Sequence, residues 1–218
     1  PYGIMINRNG LQFCDEGEDV GLYTYAKYGG EILRQPGSLA WQIFDQKTIH
    51  LLEPRYSTSE PIQADTLEEL VELLDLDNKP QAIKTLKTFN EAACDEENFD
   101  PTLKDGLSTN NLTPYKSNWA LRFDKPPFVA YSATGGITFT FGGLKVDENA
   151  QVIGTDWRPI PGLYCCGEMV GGLFHFNYPG GTGLVSGAVF GRIAGRSAAT
   201  QSIKSVSYTH LRAHETSQ

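Results

Sequence analysis

The sequence predicts an α/β fold, and three observations carry that prediction. Leu163-Tyr164-Cys165-Cys166 is a short, wholly apolar run, the pattern of a buried strand in a parallel sheet. A glycine-rich loop from Gly167 to Gly183 follows it, and then a helical stretch from about 184 to 200. Upstream, two amphipathic helices joined by a short turn lie between strand-like runs.

The elements follow in order. Apolar residues alternate from Ile4 to Phe13 on either side of Asn9-Gly10, a hairpin signal. A chain that opens inside a hairpin is expected to be the C-terminal piece of a longer protein. Asp65-Thr66-Leu67-Glu68 has an N-cap acid with Glu three positions later, a capping box. Leu67, Leu70, Val71 and Leu74 then mark one helix face. Asn78-Lys79-Pro80 ends that helix and starts a second, with the stripe Ile83, Leu86, Phe89, Ala93. Residues 1–125 therefore read as one charge-rich, helix-rich domain. From 126 the texture changes, with strands expected at 126–131, 137–141 (alternating, then turned by Gly142-Gly143) and 163–166. Residues 126–204 form the second domain. The segment 205–218 lacks this periodicity and reads as a non-native tail, which removes His210 and His214 from any catalytic or metal count.

Composition sets the outer bounds. The chain has 218 residues, 40% of them hydrophobic and 20% charged, enough for one good-sized domain or two modest ones. It contains no apolar run long enough for a membrane-spanning helix. A net charge of -8 opposes a phosphate backbone, so nucleic acid is not an expected partner. The cysteines Cys14, Cys94, Cys165 and Cys166 form no CxxC; they read as buried thiols of an intracellular, cytoplasmic protein, and no metal site is expected.

Chemistry concentrates after residue 162. Glu168 follows the apolar run directly, at the carboxyl edge of the expected sheet, where α/β proteins bind ligands. Asn177 to Leu184 delivers backbone N–H groups at a helix start, suited to an anion or an electron-rich carbonyl. Gly187, Gly191 and Gly195 recur along one helix face at a cost of roughly 1 kcal/mol each. Close approach to a sheet or a cofactor would explain them. These residues point to a ligand site with an electron-accepting ring or a phosphate nearby; a plain strand-loop-helix connection is the alternative.

Three segments carry a resemblance: Pro159-x-Pro161-Gly162-Leu163-Tyr164-x-x-Gly167-Glu168, Tyr178-Pro179-Gly180-Gly181-Thr182-Gly183 and Phe190-Gly191-Arg192-Ile193-Ala194-Gly195. Together they resemble the C-terminal FAD-binding half of the fumarate reductase/succinate dehydrogenase flavoprotein superfamily. Ile6 to Glu16 is similar to the start of that family's mobile capping domain. Tyr23 to Lys27, Gln35-Pro36-Gly37, Gln42 to Asp45 and Lys116 to Ala120 look most like its FAD-dependent tricarballylate dehydrogenase branch. The resemblance implies the C-terminal part of an FAD-binding fold plus an α+β capping domain, without the N-terminal dinucleotide-binding βαβ unit and its GxGxxG turn.

Its implications for single residues are uneven. Gly167 and Glu168 match the positions that hold FAD, Glu168 by its hydroxyls. Thr182, Gly183 and Leu184 match the helix start that faces the flavin pyrimidine carbonyl. Tyr178 stands where fumarate reductases carry a substrate-binding Arg; Tyr-Pro-Gly is what the 3-ketosteroid dehydrogenase branch has there. Phe139 takes the place of a substrate-binding His. Both departures point away from fumarate and succinate themselves. Arg55 is the first choice for the cap's proton shuttle, with Lys47 and Arg34 behind it. His175 is a catalytic or substrate-orienting candidate, since His titrates near neutrality, and a structural hydrogen bond is the alternative. Glu16 is expected to be an exposed turn acid, with handing protons onward in the cap as the alternative. The activity implied is FAD-dependent CH–CH oxidation or reduction of a small carboxylate or ketone, with a polycarboxylate such as tricarballylate first and a 3-ketosteroid Δ1-dehydrogenase-like reaction second. The electron acceptor stays unnamed. A truncated fragment that binds no cofactor is the rival from outside enzymology.

Overall fold

The strand Ile4–Asn7 (β1) is buried along its whole length, and that organises the first part of the chain. It pairs antiparallel with Ala40–Phe44 (β2), which pairs with Phe128–Ala133 (β4), which pairs in turn with the short Ile62–Ala64 (β3). Side chains of a strand alternate between faces. Ile4, Ile6, Trp41, Ile43, Phe128 and Ala130 therefore share one face, packed under Leu67–Leu73 (α2) and Lys79–Ala92 (α3) through Leu70, Val71, Leu86 and Phe89. Met5 and Ala40 look the other way, onto Tyr28 and Ile32 of Gly21–Leu33 (α1). The result is three layers, one helix, a four-stranded sheet and two helices.

Local chemistry explains the helices. On α1 the buried residues Thr24, Tyr28 and Ile32 recur every four positions. The cap of α2 is Thr66, one residue later than Asp65: its backbone is extended, and its hydroxyl accepts from the Glu69 N–H at 3.1 Å. Asn78 caps α3 by accepting from the Gln81 N–H at 3.0 Å. The Asn9-Gly10 turn forms, yet it closes only a single bridge between Ile6 and Gln12, since the ladder partner of β1 is β2. Gly10 is fixed there by its φ of +74° and by the Ala82 backbone nitrogen, 2.4 Å from where a Cβ would stand.

The structure is a computed structural model that describes residues 1–54 and 58–205, apart from the side chains of 202–205. Arg55 and the tail beyond Ser205 lie outside the described residues. The chain divides into two compact units, Pro1–Gly136 and Ile137–Gln218. The division falls beyond the expected 125/126 boundary because β4 is a central strand of the first unit's sheet.

The second unit departs further from expectation. Pro159–Tyr164 (β6) pairs antiparallel with Gln151–Ile153 (β5) in a two-stranded sheet, so the expected buried parallel strand is not what forms. The helix that follows meets its far end, where the Tyr164 hydroxyl donates to Gln201, while Ile160 and Leu163 are exposed. Cys165 is buried with Val152 and Val170, whereas Cys166 is exposed, as the alternation of the chain dictates. Residues 137–141 alternate but form no strand; the Thr140 amide is taken by Glu168, and Phe141 O accepts from Gly172. The unit closes with Thr182–Ser205 (α4). No helix among the described residues is long and apolar enough to cross a membrane.

Candidate cofactor site in the second unit

The site is built where β6 gives way to the glycine loop. Gly167 turns the chain with a φ of +75°, and a Cβ on Gly187 of α4 would lie 3.8 Å from its Cα. That is ordinary packing distance and imposes no glycine at 187; Gly191 and Gly195 have no neighbour even that near among the described residues, so the expected close approach does not explain the three glycines. The next residue, Glu168, is exposed, and its Oε1 accepts from the Thr140 N–H at 2.7 Å and from the Thr140 hydroxyl at 3.2 Å. Two bonds from one residue fix the carboxylate's direction.

The head of α4 completes the donor set. Gly181, with φ +85°, precedes it, and the Val185 N–H returns to Gly181 O at 3.2 Å. The Thr182 amide and hydroxyl both go to Pro179 O, at 3.2 and 2.6 Å. Among the described residues, the amides of Gly183 and Leu184 in the first turn have no acceptor. Thr182 therefore shapes the helix start without offering its own donors.

Tyr178 is buried at 5% exposure, its ring 4.4 Å from Phe139, 5.6 Å from Phe141 and 5.8 Å from Phe174. His175 is exposed, its ring tilted against that of Phe176 at 4.1 Å between centroids. Between them the chain makes a tight turn, with the Asn177 N–H donating to His175 O at 2.7 Å and Phe176 held at a φ of +59°. Such backbone strain in a non-glycine residue persists only where its surroundings impose it.

A family model described as an FAD binding domain matches residues 2–185. The chain belongs to that FAD-binding family. It is 33% identical to an NADH:acrylate oxidoreductase of Vibrio harveyi, covering 89% of this chain and 18% of the relative. It is 29% identical to a fumarate reductase (cytochrome) of Shewanella frigidimarina, covering 92% and 32%. A solved 3-ketosteroid Δ1-dehydrogenase from Sterolibacterium denitrificans superposes with a TM-score of 0.65 at 27% identity, covering 92% of this chain and 39% of that one. The chain thus spans well under half the length of each. None of these three is a tricarballylate dehydrogenase, so that branch rests on the motif resemblance alone.

The residues present fit FAD. A carboxylate held in place beside a loop with glycine backbone on its surface suits hydroxyl groups, and two unpaired amides at a helix head suit an electron-rich carbonyl. The first unit holds the ionisable groups that sequence reasoning placed differently. Lys47 is buried in an ion pair with Asp45 at 3.0 Å and also meets Asp124 and Arg122 O, so it braces the fold. Arg34 is paired with Glu31 at 2.7 Å.

Glu16, expected as an exposed acid, is buried: its Oε1 accepts from Met5 N at 2.6 Å and its Oε2 from Gln12 at 2.8 Å. Burial raises its pKa, against the pull of Lys116. Lys116 is buried too and donates to Pro1 O and Gly3 O; burial lowers its pKa to about 8, with Glu16 opposing. The Lys116 to Ala120 run marked this place in the sequence, but nothing local marked the burial.

Proposed function

We propose that the complete protein is an FAD-dependent CH–CH oxidoreductase whose substrate carries a carbonyl or carboxylate next to the reacting carbons. The observation that carries this reading is the pairing of a fixed Glu168 with two open amides at the head of α4 in a chain of the FAD-binding family. Acrylate, fumarate and a 3-ketosteroid Δ1 product, the compounds in the names of its relatives, share a carbon–carbon double bond conjugated to a carbonyl group. When bound, FAD supplies a two-electron acceptor or donor of hydride.

The chain's own residues do the rest. Gly167 lets a ligand lie against backbone and Glu168 accepts hydrogen bonds from FAD hydroxyls. The amides of Gly183 and Leu184 stabilise negative charge that gathers on the pyrimidine carbonyl. Tyr178 donates its hydroxyl to the substrate's carbonyl oxygen, lowering the cost of removing the adjacent proton. Arg55 and His175 are the candidates to carry that proton. A polycarboxylate such as tricarballylate is the substrate the motifs suggest; a cyclic ketone is the second reading, favoured by the phenol and rings around Tyr178.

Two variants of the complete protein test the assignment. Glu168→Ala is expected to lose FAD on desalting, read from the flavin absorbance per protein; full retention removes Glu168 from the site. Tyr178→Phe is expected to keep its FAD and lose roughly 10²-fold in turnover, the scale of one oxyanion donor. Parent-like turnover would make the hydroxyl structural.

A further inference from the structure

We infer that Thr140 is a positioning residue for the cofactor: it presets the Glu168 carboxylate so that Oε2 is the oxygen offered to an FAD hydroxyl. The inference rests on the reading of Glu168 as an FAD-binding residue.

Among the described residues, the donors that meet this carboxylate come from one residue and end on one oxygen. The Thr140 N–H reaches Oε1 at 2.7 Å, and the Thr140 hydroxyl reaches the same atom at 3.2 Å. A single donor would let the carboxylate swing about that bond; a second from another direction stops the swing. Oε1 is thereby occupied, and Oε2 is the acceptor left for a ligand. Thr140 and Glu168 are both exposed, where a hydrogen bond adds little to folding because water offers the same bond. Its effect is on order. A side chain fixed before the ligand arrives has already lost the rotamer freedom that binding would otherwise cost.

The frame that carries Thr140 does not depend on its hydroxyl. Past Thr140 the chain lies backbone to backbone against the glycine loop. The Leu144 N–H donates to Met169 O at 2.7 Å, the Gly171 N–H to Leu144 O at 3.0 Å and the Gly172 N–H to Phe141 O at 3.3 Å. A Cβ on Gly143 would stand 2.3 Å from Met169 O, and one on Gly171 would stand 2.4 Å from the Gly143 nitrogen. Only glycine lets the two segments approach so closely. The Thr140 amide also belongs to the backbone and survives any substitution but proline. Removing the hydroxyl therefore leaves the loop and one of the two bonds in place, and frees the carboxylate to turn.

The test is the rate at which the complete, FAD-loaded protein releases FAD after dilution, followed by the rise in flavin fluorescence. Thr140→Val, nearly the same shape without the hydroxyl, is expected to release FAD about fivefold faster, and Thr140→Ser to restore the parent rate within about twofold. If circular dichroism shows the Val variant misfolded, Thr140→Ala, which adds no bulk, takes its place with the same expectation. In a Glu168→Ala background, adding Thr140→Val is expected to change nothing further, because the residue acts through that carboxylate. Parent-like release from Thr140→Val, failure of Thr140→Ser to restore it, or an undiminished effect of Thr140→Val in the Glu168→Ala background each overturns the inference and leaves Glu168 as an FAD residue. Should Glu168→Ala hold no FAD, the Val and Ser variants decide alone. Parent-like release from Glu168→Ala overturns the inference together with the assignment of Glu168 to the cofactor.

Discussion

The two units of this chain solve the problem of burial in opposite ways. The first buries apolar residues on both faces of its sheet: Ile4, Ile6 and Ile43 under α2 and α3, Met5 under α1. The second gathers Val152, Cys165 and Val170 into a small core, buries Tyr178 among aromatic rings, and leaves Leu184, Val185 and Val189 of α4 open, Leu184 at 84% exposure. Apolar composition is similar to the eye; what differs is whether a partner layer exists within the unit. The first unit covers both faces of its sheet, whereas the described residues of the second leave this face of α4 uncovered.

That contrast can be broken by mutation, and the largest effect is expected deep in the first unit. Phe89 is 1% exposed, so Phe89→Ala should cost about 3–5 kcal/mol in urea unfolding of the chain. A loss below 1 kcal/mol would mean that the three-layer core is not what holds this unit.

A smaller effect is expected from Lys116→Met, which leaves the Pro1 and Gly3 carbonyls without their donor, at about 2–4 kcal/mol near neutrality. Its pH dependence has a definite sign. The folded state gives up the Lys116 proton near pH 8, while the unfolded chain keeps it to about 10.5. Between those values the unfolded chain binds more protons, so this residue's contribution to stability rises with pH. Burial raises the pKa of Cys14 and Tyr28 and acts in the opposite direction as the pH passes their ordinary values. Subtracting the variant from the parent removes the Tyr28 effect and leaves of Cys14 only its coupling to Lys116. The difference in stability should widen by on the order of 2 kcal/mol from pH 8 to pH 10. A flat difference would put Lys116 in water.

Least of all should change with Val189→Ala on α4. At 48% exposure it should shift stability by less than about 0.5 kcal/mol. A loss near 2 kcal/mol would show that the second unit buries this face after all, and the comparison would fail.

The sequence was most readable where the physics is local. The stripe Leu86, Phe89 and the Asn78 cap are decided within a few residues, and α3 forms where the period and cap require. Thr66 displaced Asp65 as the cap by a single position, because both side chains suit that role and backbone conformation chooses between them. The strand end before Glu168 and the start of α4 were legible for the same reason, since an apolar run that ends in a glycine and glycines before a helix are local patterns. Partners distant in the chain were not legible. The alternation of 137–141 fixes which side chains share a face but not what its amides bind, and they bind the glycine loop. The apolar 163–166 run reads as buried, yet burial needs a neighbour that its own residues do not specify. Glu16 looks like a turn acid until Met5, Gln12 and Lys116 close over it.

One feature of the first sheet bears on how the chain is made. Its spatial order is β1-β2-β4-β3, so the strand between β2 and β3 is the last of the four to be synthesised. Until Phe128–Ala133 leaves the ribosome, β3 has no partner at all and β2 presents one bare edge. At about 5–20 residues per second, that edge stays open for several seconds after β2 emerges. The helices α2 and α3 can form in that interval from their own caps, but the sheet they will cover cannot close. Completion of this unit is therefore a late event, set by the arrival of one six-residue strand, and any chaperone that attends it has the edge of β2 to hold.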